Sequence, residues 1–204
     1  MDSGGRILPP EFFDRPVLEV ARDLLGRVLV REREGRRLAG RIVELEAYGA
    51  TRRGQPDLAC HAIRGKTRRN ASMFGPPGRA YVYLVYGMHH CLNLVCGPEG
   101  RAEAVLLRAL EPLEGEDVMA ALRPGRPRRQ WTAGPGRLSA ALGLDLGWDG
   151  APLAPPGLWL EEGRPLPAAR RGSSPRVGVD YAGPAAAWPW RFLEKGNPHL
   201  SRRG

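Results

Sequence analysis

Apolar positions along this chain follow two rhythms. After Asp14-Arg15-Pro16, the residues Val17, Ala21, Leu24 and Leu25 fall on one helical stripe and Gly26 follows as a stop. That pattern predicts a short helix with Asp14 as its N-cap. The period then shortens to two. Val28 and Val30 alternate with polar residues from Arg27 to Arg33, Glu34-Gly35 reads as a turn, and Leu38 to Tyr48 returns as a second strand. Arg79 to Tyr86 and His90 to Cys96 form another strand pair around Gly87-Met88, followed by a strand at Glu103 to Leu110. Short helices are expected at Glu116 to Leu122 and Pro135 to Leu142, a strand near Trp159, and closing strands at Arg176 to Val179 and Trp190 to Leu193. Strands outnumber helices and do not alternate with them, which predicts an α+β domain on a mainly antiparallel sheet rather than a doubly wound fold. Residues 49–78 show little periodicity. A loop of that length in a compact domain is uncommon and is usually functional.

Composition sharpens this picture. A chain of 204 residues suits one domain, and 27 glycines with 20 prolines predict many turns between short elements. No apolar run approaches the ~20 residues of a membrane helix, and the N-terminus lacks a signal-peptide core. Three cysteines without a C-x-x-C argue against a disulfide framework and for a reducing compartment. The expectation is a cytoplasmic protein, nucleoid-associated in a bacterium, and not secreted. His89-His90-Cys91 and Cys96 carry zinc-binding residue types, but strand alternation puts His90 and Cys96 on one side and Cys91 on the other. No metal or cofactor is expected. The net charge of +9 is nearly all arginine, the only lysines being Lys66 and Lys195. Such a balance favours a polyanionic partner.

Four features could carry chemistry. In a regular strand Ile42, Glu44, Glu46 and Tyr48 share one face, while Val43, Leu45 and Ala47 pack in the core. Two carboxylates and a tyrosine beside a long loop could form a general-base site, although the motif alone favours a solvated strand face. Arg108 is the only charge in the apolar run Ala104 to Leu110, so it needs a carboxylate or a functional polar partner. Glu44 and Glu46 are equal candidates. Tyr81 and Tyr83 share a strand face, and Tyr86 sits at a hairpin tip beside Met88, where an aromatic can stack on a base or wedge between base steps. Basic side chains crowd two segments. Arg52, Arg53, Arg64, Lys66, Arg68 and Arg69 stand against the single acid Asp57, and Arg123, Arg126, Arg128, Arg129 and Arg137 flank Gly134-Pro135-Gly136 at a helix mouth suited to phosphate.

These residues, taken in order, resemble the alkyladenine (3-methyladenine) DNA glycosylases. Glu11 to Pro16, Ala21 to Gly26, Gly40 to Tyr48, Asn70 to Phe74, Tyr81 to Met88, Leu106 to Pro112, Gly134 to Leu138 and Arg176 to Val179 match the family's segments in sequence. The resemblance spans roughly residues 9–200. It implies a single domain on a curved, mainly antiparallel sheet with short flanking helices and a protruding β-hairpin, preceded by a flexible extension at 1–8 and followed by a basic tail at 201–204. It also implies a monomeric, monofunctional enzyme that hydrolyses the N-glycosidic bond of a damaged purine in duplex DNA. Carried over by position, Glu46 is the general base, and Arg108 and the Val177 carbonyl hold the attacking water. Tyr48, His61 and Tyr83 sandwich the flipped base, with Ala59 and Tyr181 in the same pocket, and Asn93 crowds the amino group of guanine. Tyr86 fills the gap in the duplex beside Met88. Arg64, Lys66, Arg68, Arg69, Gly134, Gly136 and Arg137 contact phosphates. The sequence departs from the family pattern at His89-His90 and at Asp180-Tyr181. A non-catalytic nucleic-acid-binding module using the same surface is the alternative. A glycosylase/lyase would need an amine nucleophile, and only Lys66, Lys195 and the N-terminus offer one.

Overall fold

The computed structural model describes residues 5–164 and 166–202. A 3-10 turn at Pro10–Phe12 leads into α1 (Val17–Leu24), which buries Val17, Val20, Ala21 and Leu24. Asp14 is not its N-cap. Pro16 occupies that position without a side-chain bond, and the Val17 N–H donates to the Glu103 carboxylate at 3.1 Å. Pro16 disfavours helical backbone at Arg15, so the helix starts only beyond it, and a distant acid supplies the cap.

β1 (Val28–Arg33) and β2 (Arg36–Tyr48) form the expected hairpin. Glu34 and Gly35 at its tip both have positive φ, as a twist-compatible I′ turn requires. The segment expected as an open loop instead holds β3 (Thr51–Arg52) paired with β4 (Gln55–Pro56), then 3-10 turns at His61–Arg64 and Arg68–Phe74. β5 (Ala80–Val85) and β6 (His89–Cys96) make the second hairpin, and β7 (Glu103–Glu114) runs past its expected end. α2 (Glu116–Leu122), α3 (Pro135–Leu142) and β8 (Leu158–Glu161) stand where the pattern placed them. β9 (Arg171–Ser174) and β10 (Arg191–Glu194) complete the sheet. The strand expected at Arg176 to Val179 is absent. Pro175 lacks the N–H a ladder needs, Gly178 turns at φ 74°, and the Arg176 side chain goes inward instead.

Among the described residues, six strands of an eight-stranded antiparallel sheet run in the order β5-β6-β7-β2-β1-β8. β10 pairs with the second half of β2 and carries β9 on its outer side. α1 packs on β2 and β7, α3 on β6 and β7, and α2 on α3, all around one apolar cluster. A smaller cluster of Cys60, Met73, Tyr81, Val95 and Ala104, with Tyr48 and Tyr83 at its margin, lies apart from it. Of the expected N-terminal extension, residues 1–4 lie outside the described residues, while Ile7 bridges Glu161 and buried Leu8 bonds to the Leu160 carbonyl. Residues 203 and 204 of the expected tail also lie outside them. No helix of the described residues is long and apolar enough to cross a membrane.

One irregularity decides the site. Ile42 faces Leu110, Glu44 faces Ala109 and Leu45 faces Leu107, so both Val43 and Arg108 drop out of the ladder. The bulge breaks the simple alternation. Ile42 therefore joins Leu45 and Ala47 in the main core, not Glu44 and Glu46 on the other face. Bulges re-aim side chains next to active sites. This one turns Arg108 towards the two glutamates. Neither glutamate is solvated, since both are fully buried, which overturns the solvated-face reading.

Candidate active site

Glu46 lies near the end of β2, opposite Leu106 of β7 and Arg191 of β10. Its Oε1 accepts the Val177 N–H at 2.7 Å. Its Oε2 accepts the Tyr48 hydroxyl at 2.8 Å and Arg108 Nη1 at 3.3 Å. All three partners donate, as a carboxylate requires, and an ionised carboxylate accepts about four bonds, leaving room for one more. Burial, then the adjacent Glu46 charge, pushes the Tyr48 hydroxyl well above its ordinary range, so Tyr48 remains a donor. The contact shown by Val177 is made by its N–H rather than its carbonyl.

Glu44 answers the other half of the question posed by Arg108. Its Oε1 accepts Arg108 Nε at 2.9 Å and Arg191 Nε at 2.8 Å. Burial opposes the charge on Glu44, but hydrogen bonds from Ser201, with Arg108 and Arg191 alongside, outweigh it and hold the carboxyl below its ordinary range. For Arg108 burial again opposes the charge, and Glu46 and Glu44 more than compensate.

Three donors of this network, Tyr48, Arg108 and Val177, face a cavity of about 420 Å³, within the range of small-molecule sites. Glu46 itself sits just behind that wall. Ala59, His61, Tyr83, Asn93 and Tyr181 line the same cavity, so the structure brings together the residues that the resemblance placed there, and Tyr86 of the hairpin tip lines it too. His61 and Tyr83 meet edge to face with centroids 4.5 Å apart. A planar ring inserted between two others needs about 7 Å, two contacts of roughly 3.5 Å. His61 and Tyr83 therefore form one wall together, with Tyr48 as a separate surface. His61 Nδ1 is 3.0 Å from the Tyr81 hydroxyl, and partial burial, then the Arg69 charge, lowers the imidazole below its ordinary pKa. The ring is thus uncharged at neutral pH. Burial pushes the Cys91 thiol, also in the cavity, up to about 11, so it is no thiolate nucleophile. Asn93 Nδ2 donates to the Tyr81 carbonyl at 3.0 Å, which fixes the amide in the wall.

Tyr86 and Met88 stand at the β5–β6 tip, Tyr86 with 89% of its surface exposed and Met88 with 69%. Tyr86 and Gly87 both have positive φ. A bulky non-glycine residue rarely adopts that conformation, so the turn holds an aromatic out in solvent against its local preference.

A trough of about 570 Å³ continues from the cavity, sharing Tyr86, Arg108 and Val177. Gly134, Gly136 and Arg137 at the mouth of α3 line it, with Arg123, Arg126 and Arg202. Arg64 and Arg68 are exposed on the 3-10 turns, and Lys66 is exposed between them. Arg69 lines the cavity, its guanidinium 5.5 Å from the Tyr83 ring. Arg128, counted with the basic surface, is engaged by Glu116 and the Pro112 carbonyl.

Sequence reasoning missed the support beneath Tyr48. Arg176, fully buried, makes paired 2.7 Å bonds to Asp57 and lies 4.6 Å from the Tyr48 ring centroid. Asp57 also accepts the N–H groups of Gly49 and Ala59 at 3.1 Å. Gly49 turns the chain at φ 97°, where a Cβ would stand 2.0 Å from the Ala102 carbonyl oxygen. The isolation of Asp57 among the arginines of residues 52–69 was the available signal.

The methylpurine-DNA glycosylase (MPG) family model matches residues 11–198. A protein of Methanocella arvoryzae is 50% identical over 200 residues, covering 97% of this chain and 96% of its own length. One from Myxococcus xanthus is 50% identical over 195 residues, with 96% and 93% covered. One from Carboxydothermus hydrogenoformans is 47% identical over 198 residues, with 97% and 100% covered. All three carry a provisional description as a 3-methyladenine DNA glycosylase. β2 with its two buried glutamates, the aromatic cavity and the hairpin tip all lie inside the matched segment, and the chain belongs to the methylpurine-DNA glycosylase family.

Proposed function

We propose that this DNA glycosylase flips an alkylated purine, 3-methyladenine or a related base, out of duplex DNA and hydrolyses its N-glycosidic bond without cleaving the strand. The observation that carries the reading is the buried Glu46 carboxylate behind an aromatic cavity, with every hydrogen bond it receives coming from a donor in the cavity wall. A base in a duplex is out of reach, so it must be extruded at a cost of a few kcal/mol. Tyr86, beside the cavity mouth, takes the vacated space. Alkylation at a ring nitrogen leaves the purine cationic, so the rings of Tyr48 and Tyr83, with the uncharged imidazole of His61, attract it. Asn93 narrows the wall against the exocyclic amino group of guanine. The 3.3 Å contact between Arg108 and Glu46 is the longest that the carboxylate makes, and a water can enter there. Glu46 takes its proton as its oxygen bonds to the sugar carbon, and the base departs with the bonding electrons. The carboxylate also stabilises the oxocarbenium-like sugar. Arg64, Lys66, Arg68, Arg69, Arg137 and the α3 mouth track the phosphates.

Neither lysine lines the cavity, which supports hydrolysis over amine-dependent lyase chemistry. Incubating the protein with alkylated duplex, with and without alkali, separates the readings. Base release with strand breaks only after alkali is expected. Binding without release would make the protein a non-catalytic module, and breaks without alkali would make it a lyase.

Tyr86 can be tested apart from the chemistry. Cutting a packed core aromatic to alanine costs roughly 3–5 kcal/mol, whereas Tyr86 makes little contact in the free protein. Tyr86→Ala is expected to melt within about 2 °C of wild type and to excise from duplex at least about tenfold more slowly. A large fall in melting temperature, or a normal duplex rate, would remove its role as the wedge.

A further inference from the structure

The segment after Leu200 reaches back into the catalytic network. The Ser201 N–H donates to Glu44 Oε2 at 2.6 Å, and its hydroxyl donates to Glu44 Oε1 at 2.7 Å. The same hydroxyl accepts Arg108 Nη2 at 3.1 Å. One residue later, the Arg202 carbonyl accepts Arg191 Nη2 at 2.6 Å, and Arg191 is itself bound to Glu44. Three strands and the segment near residue 201 therefore converge on one buried carboxylate.

We infer that Ser201, with Glu44, is a positioning residue that locks the guanidinium of Arg108 in the orientation the reaction needs. Arg108 is gripped at three nitrogens: Nε by Glu44, Nη2 by Ser201 and Nη1 by Glu46. Glu46 makes the longest of these contacts, at 3.3 Å. In the reaction proposed above, on which this inference rests, the Glu46 contact opens to admit a water. Arg108 then depends on the other two. Glu44 alone fixes one end of the planar fork and leaves the far nitrogens free to swing about it. The Ser201 hydroxyl pins the second point, which fixes the plane. Its backbone N–H meanwhile satisfies the remaining oxygen of Glu44, so the anchor does not move. A displacement of about 1 Å in such a group can cost on the order of a hundredfold in rate. The segment expected as a basic tail is thus, at Ser201, part of the site's framework.

Ser201→Ala removes the pinning hydroxyl and keeps the N–H bond to Glu44. Single-turnover excision from alkylated duplex is expected to fall about tenfold, with duplex affinity within twofold of wild type and melting within about 2 °C. Ser201→Thr, which restores a hydroxyl, is expected to recover most of the rate. A second readout needs no activity. The Arg108 Nε–H, followed by nitrogen-15 NMR, should exchange with solvent faster in Ser201→Ala than in wild type. A Ser201→Ala rate within twofold of wild type with unchanged Arg108 exchange would overturn the inference. So would a loss of rate that tracks a loss of melting temperature and is not recovered by threonine. Absence of base release by the wild-type protein would instead overturn the assigned reaction, and the exchange measurement would still test the lock.

Discussion

Glu46→Gln is expected to slow base excision by roughly 10²–10⁴-fold, the range supplied by a positioned general base, while duplex affinity changes by only a few-fold. The substitution keeps the volume and still offers an oxygen to the Val177 N–H. It replaces the oxygen facing Tyr48 and Arg108 with an amide nitrogen, which donates and cannot take a proton from water. Arg108 does not become an orphaned charge, because Glu44 still holds its Nε at 2.9 Å. The stability cost should therefore resemble a lost charged hydrogen bond, about 1.5–3 kcal/mol, rather than a broken buried pair. Single-turnover rates on alkylated duplex, with binding measured in parallel, check both halves. A rate within a few-fold of wild type would show that Glu46 is not the base. Loss of binding in proportion to rate would show that it holds DNA instead of activating water.

Much of this architecture was legible in local pattern. Alternating residues marked the two hairpins, and Glu34-Gly35 and Gly87 marked their turns. The isolation of Arg108 in an apolar run announced a buried partner, and the partners proved to be the two glutamates already under suspicion. The same logic applies to Arg191, flanked by Trp190, Phe192 and Leu193, and would have found its bond to Glu44. What the pattern could not show was the bulge at Val43, because a single unpaired residue leaves no compositional trace and depends on the register of β7. Without it the strand face carrying Glu44 and Glu46 would also carry Ile42. Asp14 looked like a cap, yet Glu103 performs that role from another strand. The strand expected at Arg176 to Val179 does not form, because Pro175 and Gly178 break the ladder around it. Ser201 left no signal, since its role exists only where the chain returns to Glu44. The aromatic cavity was recognisable through family resemblance. Its supporting charges were not.

Those supporting charges should dominate stability near the site. Asp57→Ala is expected to cost about 3–5 kcal/mol, the usual penalty for stripping one partner from a buried ion pair. Both side chains are fully buried, the two bonds are each 2.7 Å, and the Gly49 and Ala59 N–H groups lose their acceptor at the same time. For a chain of this size the loss corresponds to roughly 6–20 °C in melting temperature. Arg176 would keep its bond to the Ala47 carbonyl at 2.9 Å, which neutralises none of its charge. Removing the charge as well should therefore help, and Asp57→Ala combined with Arg176→Met is expected to recover about half of the lost stability. Full recovery is not expected, because the Arg176 guanidinium also lies against the Tyr48 and Trp190 rings, at 4.6 and 5.1 Å. The double variant should then be folded yet slow, since the ring that donates to Glu46 has lost the group beneath it. Melting curves of wild type, the single variant and the double variant, with excision rates taken well below each midpoint, decide the matter. An Asp57→Ala loss below about 1 kcal/mol would place the pair among ordinary surface salt bridges. A double variant with wild-type excision would show that Tyr48 holds its position without Arg176.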